Sequence, residues 1–239
     1  MTLHSLIAAA LLAVAADSHA GLIHRYELNG DLSDAMGGPS LKKYGTTAVG
    51  PSAYAFSANQ GLQLTYELGA AYTIDMRFQL DSDWGGYQRL LNFQYADHPD
   101  NGLYVSVDDY CFYIKGCIGS GSFTPKQDIR LSLTRDAASR VSVFQNGTML
   151  FSFDDSAGQA LLSTPASVNP KRLLSFFKDD GGGEAARGSV DFIHLYDNAL
   201  DAQQVAALHG APVAEPASLG LVGAGLALLG WTRRRKPAR

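Results

Sequence analysis

The chain is poor in cysteine, in charge, in glutamate and in helical pattern. Cys111 and Cys117 are its only cysteines, too few for a disulfide-built miniprotein or a four-cysteine zinc cluster. Charged residues make up 18% of the sequence, below the ~25% of an average globular protein. Positive charge does not predominate, and a net charge of −4 argues against a basic nucleic-acid-binding protein, so no nucleic-acid partner is expected. Disorder throughout the chain is excluded from the other side. Hydrophobic residues make up 46% and aromatics 10%, ample apolar surface for a core.

The charge that is present is unevenly placed. Residues 1–20 hold a single charged side chain, Asp17, and residues 217–239 hold five basic residues and no acid. The stretch between them carries 14 basic and 22 acidic residues, a net of −8. An acidic body therefore lies between two apolar ends. The first end has an apolar run over 3–16 followed by Ser18-His19-Ala20, the small-residue pattern of a signal-peptidase site before Gly21. Residues 1–20 are expected to be an export signal, which implies the Sec machinery as a partner. At the other end an uncharged run from Ala217 to Trp231 would span roughly 22 Å as a helix, a marginal crossing of a ~30 Å hydrocarbon core. The basic cluster Arg233, Arg234, Arg235 and Lys236 after it favours a cytoplasmic C-terminus. A transmembrane helix separate from the body is thus expected within 217–239, with 211–216 as linker.

Glu215-Pro216, the short apolar run and the arginine-rich end resemble the PEP-CTERM sorting signal of Gram-negative bacteria. Glu215 and Pro216 match the second and third motif positions, and Ala214 stands where the first proline would be. The resemblance implies an exosortase-type sorting enzyme as a partner. It also implies transient anchoring to the inner membrane with the body in the periplasm, then transfer to the outer envelope or release.

The body, 21–210, reads as all-β. Turn residues recur every ten residues or so between short β-branched and aromatic runs. Strands are expected at 22–28, 53–57, 61–66, 72–80, 87–95, 102–107, 111–115, 128–134, 140–145, 148–153, 171–177 and 188–196. In 72–80 Tyr72, Ile74, Met76, Phe78 and Leu80 alternate with Thr73, Asp75, Arg77 and Gln79, one face packed and the other wet. In the last strand Val190, Phe192, His194 and Tyr196 alternate with Asp191, Ile193 and Leu195. Asn146-Gly147 calls for a type I′ hairpin turn that pairs Gln145 with Thr148, Phe144 with Met149 and Val143 with Leu150. One short helix fits 201–209, with Asp201 and Gln204 in a capping box, Gly210 closing it, and Leu200, Val205 and Leu208 as anchors. A dozen strands and one terminal helix indicate a two-sheet antiparallel sandwich.

Four segments in order resemble LamG-like, concanavalin A-like lectin/glucanase domains. They are His24–Asp34 as opening strand and turn, Tyr72–Phe78 as core strand, Leu133–Asp136 leading to Phe144–Gly147 as hairpin, and Val190–Leu200 as closing strand. The resemblance implies a jelly roll.

Chemistry is sparsely marked. Glycosidases place paired carboxylates about the scissile bond, but the glutamates are only Glu27, Glu67, Glu184 and Glu215, none two residues from an aspartate on a strand. His24, His98, His194 and His209 lack metal-ligand spacing. No catalytic residue is identified. Asp108-Asp109 and Asp179-Asp180 fall in expected loops, where they are either solvated turn residues or calcium ligands. Trp84 and Tyr87 either cap one end of the core or offer a stacking platform for sugar rings. Cys111 and Cys117 either bridge or remain thiols, and a bridge needs the chain to turn back near Lys115-Gly116. The expected function is non-catalytic binding or scaffolding of extracellular polysaccharide or cell-surface glycan. A glycan hydrolase or lyase and a purely structural matrix protein are the alternatives.

Overall fold

In a computed structural model, residues 21–81, 86–93, 101–107, 109–113, 115–121, 123–162, 173–179 and 181–210 are described. The export signal, Glu215-Pro216, the apolar run and the basic cluster lie outside these residues. No helix among the described residues is long and apolar enough to cross a membrane.

The strands are β1 (Leu22–Tyr26), β2 (Lys42–Lys43), β3 (Tyr54–Phe56), β4 (Leu62–Thr65), β5 (Tyr72–Leu80), β6 (Tyr87–Asn92) and β7 (Gly102–Ser106). They continue with β8 (Asp109–Phe112), β9 (Gly116–Ser120), β10 (Ile129–Arg135), β11 (Arg140–Gln145), β12 (Thr148–Asp154), β13 (Leu173–Phe176) and β14 (Gly188–Tyr196), followed by one helix, α1 (Ala202–Leu208). They form two antiparallel sheets of seven strands. The first runs β1-β14-β5-β10-β11-β12, with β3 also on β14; the second runs β2-β4-β13-β6-β7-β8-β9. The core lies between them. Ile74, Met76, Phe78, Leu131, Leu133 and Leu195 face inward from the first sheet, and Leu64, Leu91, Leu103, Val105, Phe112 and Leu174 from the second. Phe112 of one sheet meets Phe153 of the other with ring centroids 4.7 Å apart.

The expected strands recur with adjusted ends. β8 begins two residues before the expected 111–115 and stops at Phe112, because the chain turns there. Lys115 N–H bonds to Phe112 C=O at 2.9 Å, and Gly116 takes φ +81°, where a Cβ is costly. Two strands were not expected. β2 is two lysines, and β9 has two glycines and an exposed isoleucine; neither has a buried alternation to read.

Two registers differ from the simple alternation. The turn has both central residues at positive φ, Asn146 at 50° and Gly147 at 84°, and Gln145 pairs with Thr148 and Phe144 with Met149 as expected. Val143 then pairs with Phe151 rather than Leu150, because a bulge inserts one residue into β12. It turns Phe151 toward the core, where a phenylalanine buries more apolar surface. β14 bulges between Val190 and Phe192. Val190 therefore shares the core with Ile193 and Leu195, and Phe192 and His194 lie on the outer face, not beside Val190.

The outer face of the first sheet is not wet throughout. Helix α1 lies across it, with Val205 and Leu208 against Tyr196, Leu200, Phe144 and Leu22. Its capping box forms as expected: Gln204 N–H donates to Asp201 Oδ1 at 2.8 Å, and Asp201 N–H to Gln204 Oε1 at 2.9 Å. Thr73 and Asp75, on the face expected to be solvated, are each 0% exposed.

Candidate binding cleft

A concave feature lies on the outer face of the second sheet. Adjacent strands put Arg89, Tyr104, Cys111 and Cys117 in register across β6, β7, β8 and β9. Side chains two apart on a strand share a face, so Tyr87 joins Arg89, and Tyr113, just beyond β8, joins Cys111. The result is a cleft of about 250 Å³ lined by Tyr87, Tyr104, Tyr113, Phe112, Gly116, the two cysteines and Glu184. Tyr87 and Tyr113 are 46% and 44% exposed, so their rings are available to a ligand. Tyr104 is buried below them, its ring edge-on to Tyr87 at 6.2 Å.

Cys111 and Cys117 form a disulfide, with Cα atoms 3.9 Å apart. It lines the cleft beside Tyr87, whose hydroxyl lies 3.9 Å from Cys117 Sγ. The bridge ties down a short loop that carries Tyr113. Replacing both cysteines with serine is expected to cost about 2 kcal/mol from loop entropy and to loosen Tyr113. Chemical denaturation and amide hydrogen exchange over 111–117 check the two effects.

A buried charge cluster supports the cleft from below. The Arg89 side chain is fully buried; its Nη2 lies 3.0 Å from Asp179 Oδ1 and 3.7 Å from Glu184 Oε2, and its guanidinium sits 4.9 Å over the Tyr104 ring. The backbone holds the partner segment in place, with Arg89 N–H bonded to Glu184 C=O at 2.8 Å and Glu184 N–H to Asp179 Oδ2 at 3.2 Å. Glu184 is the member of the trio that reaches the cleft.

Of the expected site residues, Tyr87 is exposed in the cleft and does not cap the core. Trp84, Asp108 and Asp180 lie outside the described residues. Asp179 is not a rim ligand awaiting calcium: it is 2% exposed and its charge faces Arg89. Asp109 is exposed on β8. Among the described residues no group of three or more His, Cys, Asp or Glu side chains is arranged to hold a metal. Arg89, Tyr104, Tyr113 and Glu184 were missed. Period-two alternation from Tyr87 was the available signal for Arg89, but nothing local linked it to Glu184.

A second polar cluster lies under α1. Asp75 accepts from Ser132 Oγ at 2.8 Å and Arg130 Nη2 at 2.6 Å, and lies 3.1 Å from His209 Nε2. Arg130 also donates to Leu208 C=O at the helix end. Burial pushes the Asp75 carboxyl up, but hydrogen bonds from His209, Arg130 and Ser132 and the charge of Arg130 outweigh it and hold the group below the usual carboxylate range. Serine, histidine and aspartate here do not form a nucleophilic relay. A relay needs serine and aspartate on opposite ring nitrogens. Ser132 and Asp75 both contact Nε2 of His209, and Ser132 is fully buried. The cluster docks the helix.

Fold and cleft together define the class: an antiparallel β-sandwich domain whose structural neighbours are carbohydrate-active β-sandwich domains. Domain 4 of AbnA, a GH43 extracellular arabinanase from Geobacillus stearothermophilus in complex with arabinotriose, aligns at TM-score 0.57 and 19% identity over 80% of this chain and 98% of that one. Trypanosoma rangeli sialidase aligns at TM-score 0.60 and 16% identity over 79% of this chain. This chain matches only 32% of the sialidase's length. The CBM40 of Ruminococcus gnavus IT-sialidase, bound to α2,3-sialyllactose, aligns at TM-score 0.51 and 15% identity over 66% of this chain and 97% of that one. No protein-family model matches the sequence, and no curated protein matches it.

Proposed function

We propose that the body is a non-catalytic jelly-roll module of LamG-like type that binds a polysaccharide chain in the Tyr87–Tyr104–Tyr113 cleft. The observation that carries this reading is a concave site on a rigid sheet with two exposed tyrosine rings and one carboxylate at its edge. Flat aromatic faces pack on the apolar faces of sugar rings while a few polar groups fix orientation. Binding without turnover is supported by the carboxylate count. Two-carboxylate hydrolysis needs an acid and a base or nucleophile flanking one bond, and Glu184 is the single carboxylate among the described lining residues. Residues 1–20 and 211–239 are read as an export signal and a PEP-CTERM sorting tail, which would deliver the module to the envelope, where such polysaccharides lie.

Affinity electrophoresis of the full chain through gels containing neutral, amino and acidic polysaccharides tests this reading. At least one polymer should retard it, and Tyr87→Ala and Tyr113→Ala should each weaken that binding about tenfold. Robust release of reducing sugar, lost on Glu184→Gln, would instead establish a hydrolase. Retardation by no polymer would leave a structural matrix protein.

A further inference from the structure

Strand β9 ends the second sheet and pairs with β8 alone. Of its five residues only Gly119 is buried, and that glycine lies flat against the Phe151 ring with no side chain to contribute. Two things therefore hold β9: its ladder to β8, whose bonds each add little at a wet edge, and the Cys111–Cys117 bridge. Strand β8 does not depend on the bridge in the same way. Its Tyr110 and Phe112 are each fully buried, and Phe112 packs on Phe153. Breaking the bridge thus frees a local unit, β9 and the turn that carries Tyr113, at a cost below that of global unfolding. We infer that Cys111–Cys117 is a reversible latch, opened by a dithiol, whose reduction dismantles the cleft while the sandwich stays folded. The latch stands on the geometry of β8 and β9; its effect on affinity rests on the glycan-binding reading above.

Access to the bridge is one-sided. Cys117 is exposed, whereas Cys111 is 5% exposed. An incoming thiolate therefore attacks Cys117 Sγ and forms a mixed disulfide. The bond to Cys111 Sγ breaks, and Cys111 leaves with the electron pair and takes a proton from water. As a buried thiol it behaves as a small apolar side chain. Cys111 also pairs directly with Cys117 across the ladder, so against a monothiol it re-attacks the mixed disulfide and restores the bridge. A dithiol escapes this reversal. Its second thiolate attacks its own bound sulfur, closes an intramolecular disulfide and releases Cys117, which takes up the second proton. Two electrons and two protons pass in all from the dithiol to the cysteine pair. The Tyr87 hydroxyl, 3.9 Å from Cys117 Sγ, faces the thiolate so released.

The full chain, without denaturant, is treated with dithiothreitol or with glutathione at equal thiol concentration, alkylated with iodoacetamide and weighed. Dithiothreitol should give the doubly alkylated protein, and glutathione at least about tenfold less of it. On reduction, amide hydrogen exchange over 116–120 should quicken at least about tenfold, with 129–135 and 188–196 unchanged. Oxidised dithiothreitol should restore the slow exchange. Cys111→Ser/Cys117→Ser should exchange fast without reductant and not respond to it. In affinity electrophoresis, reduction should weaken retardation of the wild type by polysaccharide about tenfold, as Tyr113→Ala does. A bridge that resists dithiothreitol until the body melts, or exchange over 116–120 that reduction leaves unchanged, overturns the latch. Retardation that is equal before and after reduction overturns its control of the cleft. Retardation of the oxidised protein by no polysaccharide, with the exchange response intact, overturns the glycan-binding reading and leaves the latch standing.

Discussion

Asp155→Ala is expected to be the most damaging single substitution in the domain. Asp155 lies just after β12, fully buried, and accepts from Arg135 Nε at 2.8 Å and from the backbone N–H of Gln159 at 2.7 Å. Arg135 is itself buried, and its remaining donors go to Ala70 C=O at 2.5 Å and Ser139 Oγ at 3.0 Å. Removing the carboxylate leaves a guanidinium with no route to water, a cost of about 3–5 kcal/mol. It also releases the turn at 155–160, whose Ala160 C=O accepts from the Tyr72 hydroxyl in the core. At roughly 2–4 °C per kcal/mol for a domain of this size, the melting temperature should fall by more than about 6 °C. Arg135→Met, which removes the charge and keeps an apolar stem, should be milder than Asp155→Ala. Calorimetric melting of the two variants checks the order, and equal losses would show that the ion pair lost in both, rather than the carboxylate's backbone bonds or the stranded guanidinium, dominates.

Asp75→Ala should rank second, near the lower end of the same range at about 3 kcal/mol. Here the stranded cation can relax, because the Arg130 side chain is 24% exposed and can swing into water. Ser132 and His209 cannot, and α1 should loosen from the sheet. The same site sets an acid limb. The Asp75 carboxyl is held below its ordinary range, so its contribution is complete above the unfolded value near 3.9. That contribution falls away as pH drops through the lower folded value. His194 works in the same direction at milder acidity. Burial, only partly offset by Glu27 and Asp75, lowers its affinity for a proton, so the unfolded chain gains stability as pH falls below about 6.5. Melting temperature should therefore decline in two stages on acidification. Asp75→Asn, with no carboxylate to protonate, should flatten the steeper, more acidic stage. A stage of unchanged steepness would assign the acid limb to other carboxylates, Asp34 foremost, which is also held low despite its burial by hydrogen bonds from Arg25 N–H and His24.

These clusters show where local pattern stops being informative. The Asn146-Gly147 turn, the alternation of β5 and the Asp201–Gln204 capping box came directly from sequence, because each is decided within a few residues by backbone sterics or by one side chain meeting the nearest amide. The bulges at Val143–Phe144 and Val190–Phe192 did not. A bulge is chosen by what the partner strand and the core require, and alternation alone assumes its absence. Asp75 illustrates the same limit. Its place opposite Ile74 and Met76 was legible, but its burial depends on where α1 comes to rest.

The sequence by itself determined an acidic all-β body, the strands of the described residues to within two short edge segments, the helix that follows them, and Tyr87 and the cysteine pair as residues worth watching. Those properties follow from periodicity, turn chemistry and capping, which act over short stretches of chain. Only the tertiary structure decided that Tyr87 opens onto a cleft, that Arg89 beneath it is neutralised by Asp179 and Glu184, and that Asp75 anchors a helix. These residues come from distant parts of the chain and meet only when β6 and the segment before β14, or β5 and α1, are packed together. Charge buried by such packing leaves no periodic trace in the sequence, because its cost is offset by partners that the sequence does not place nearby.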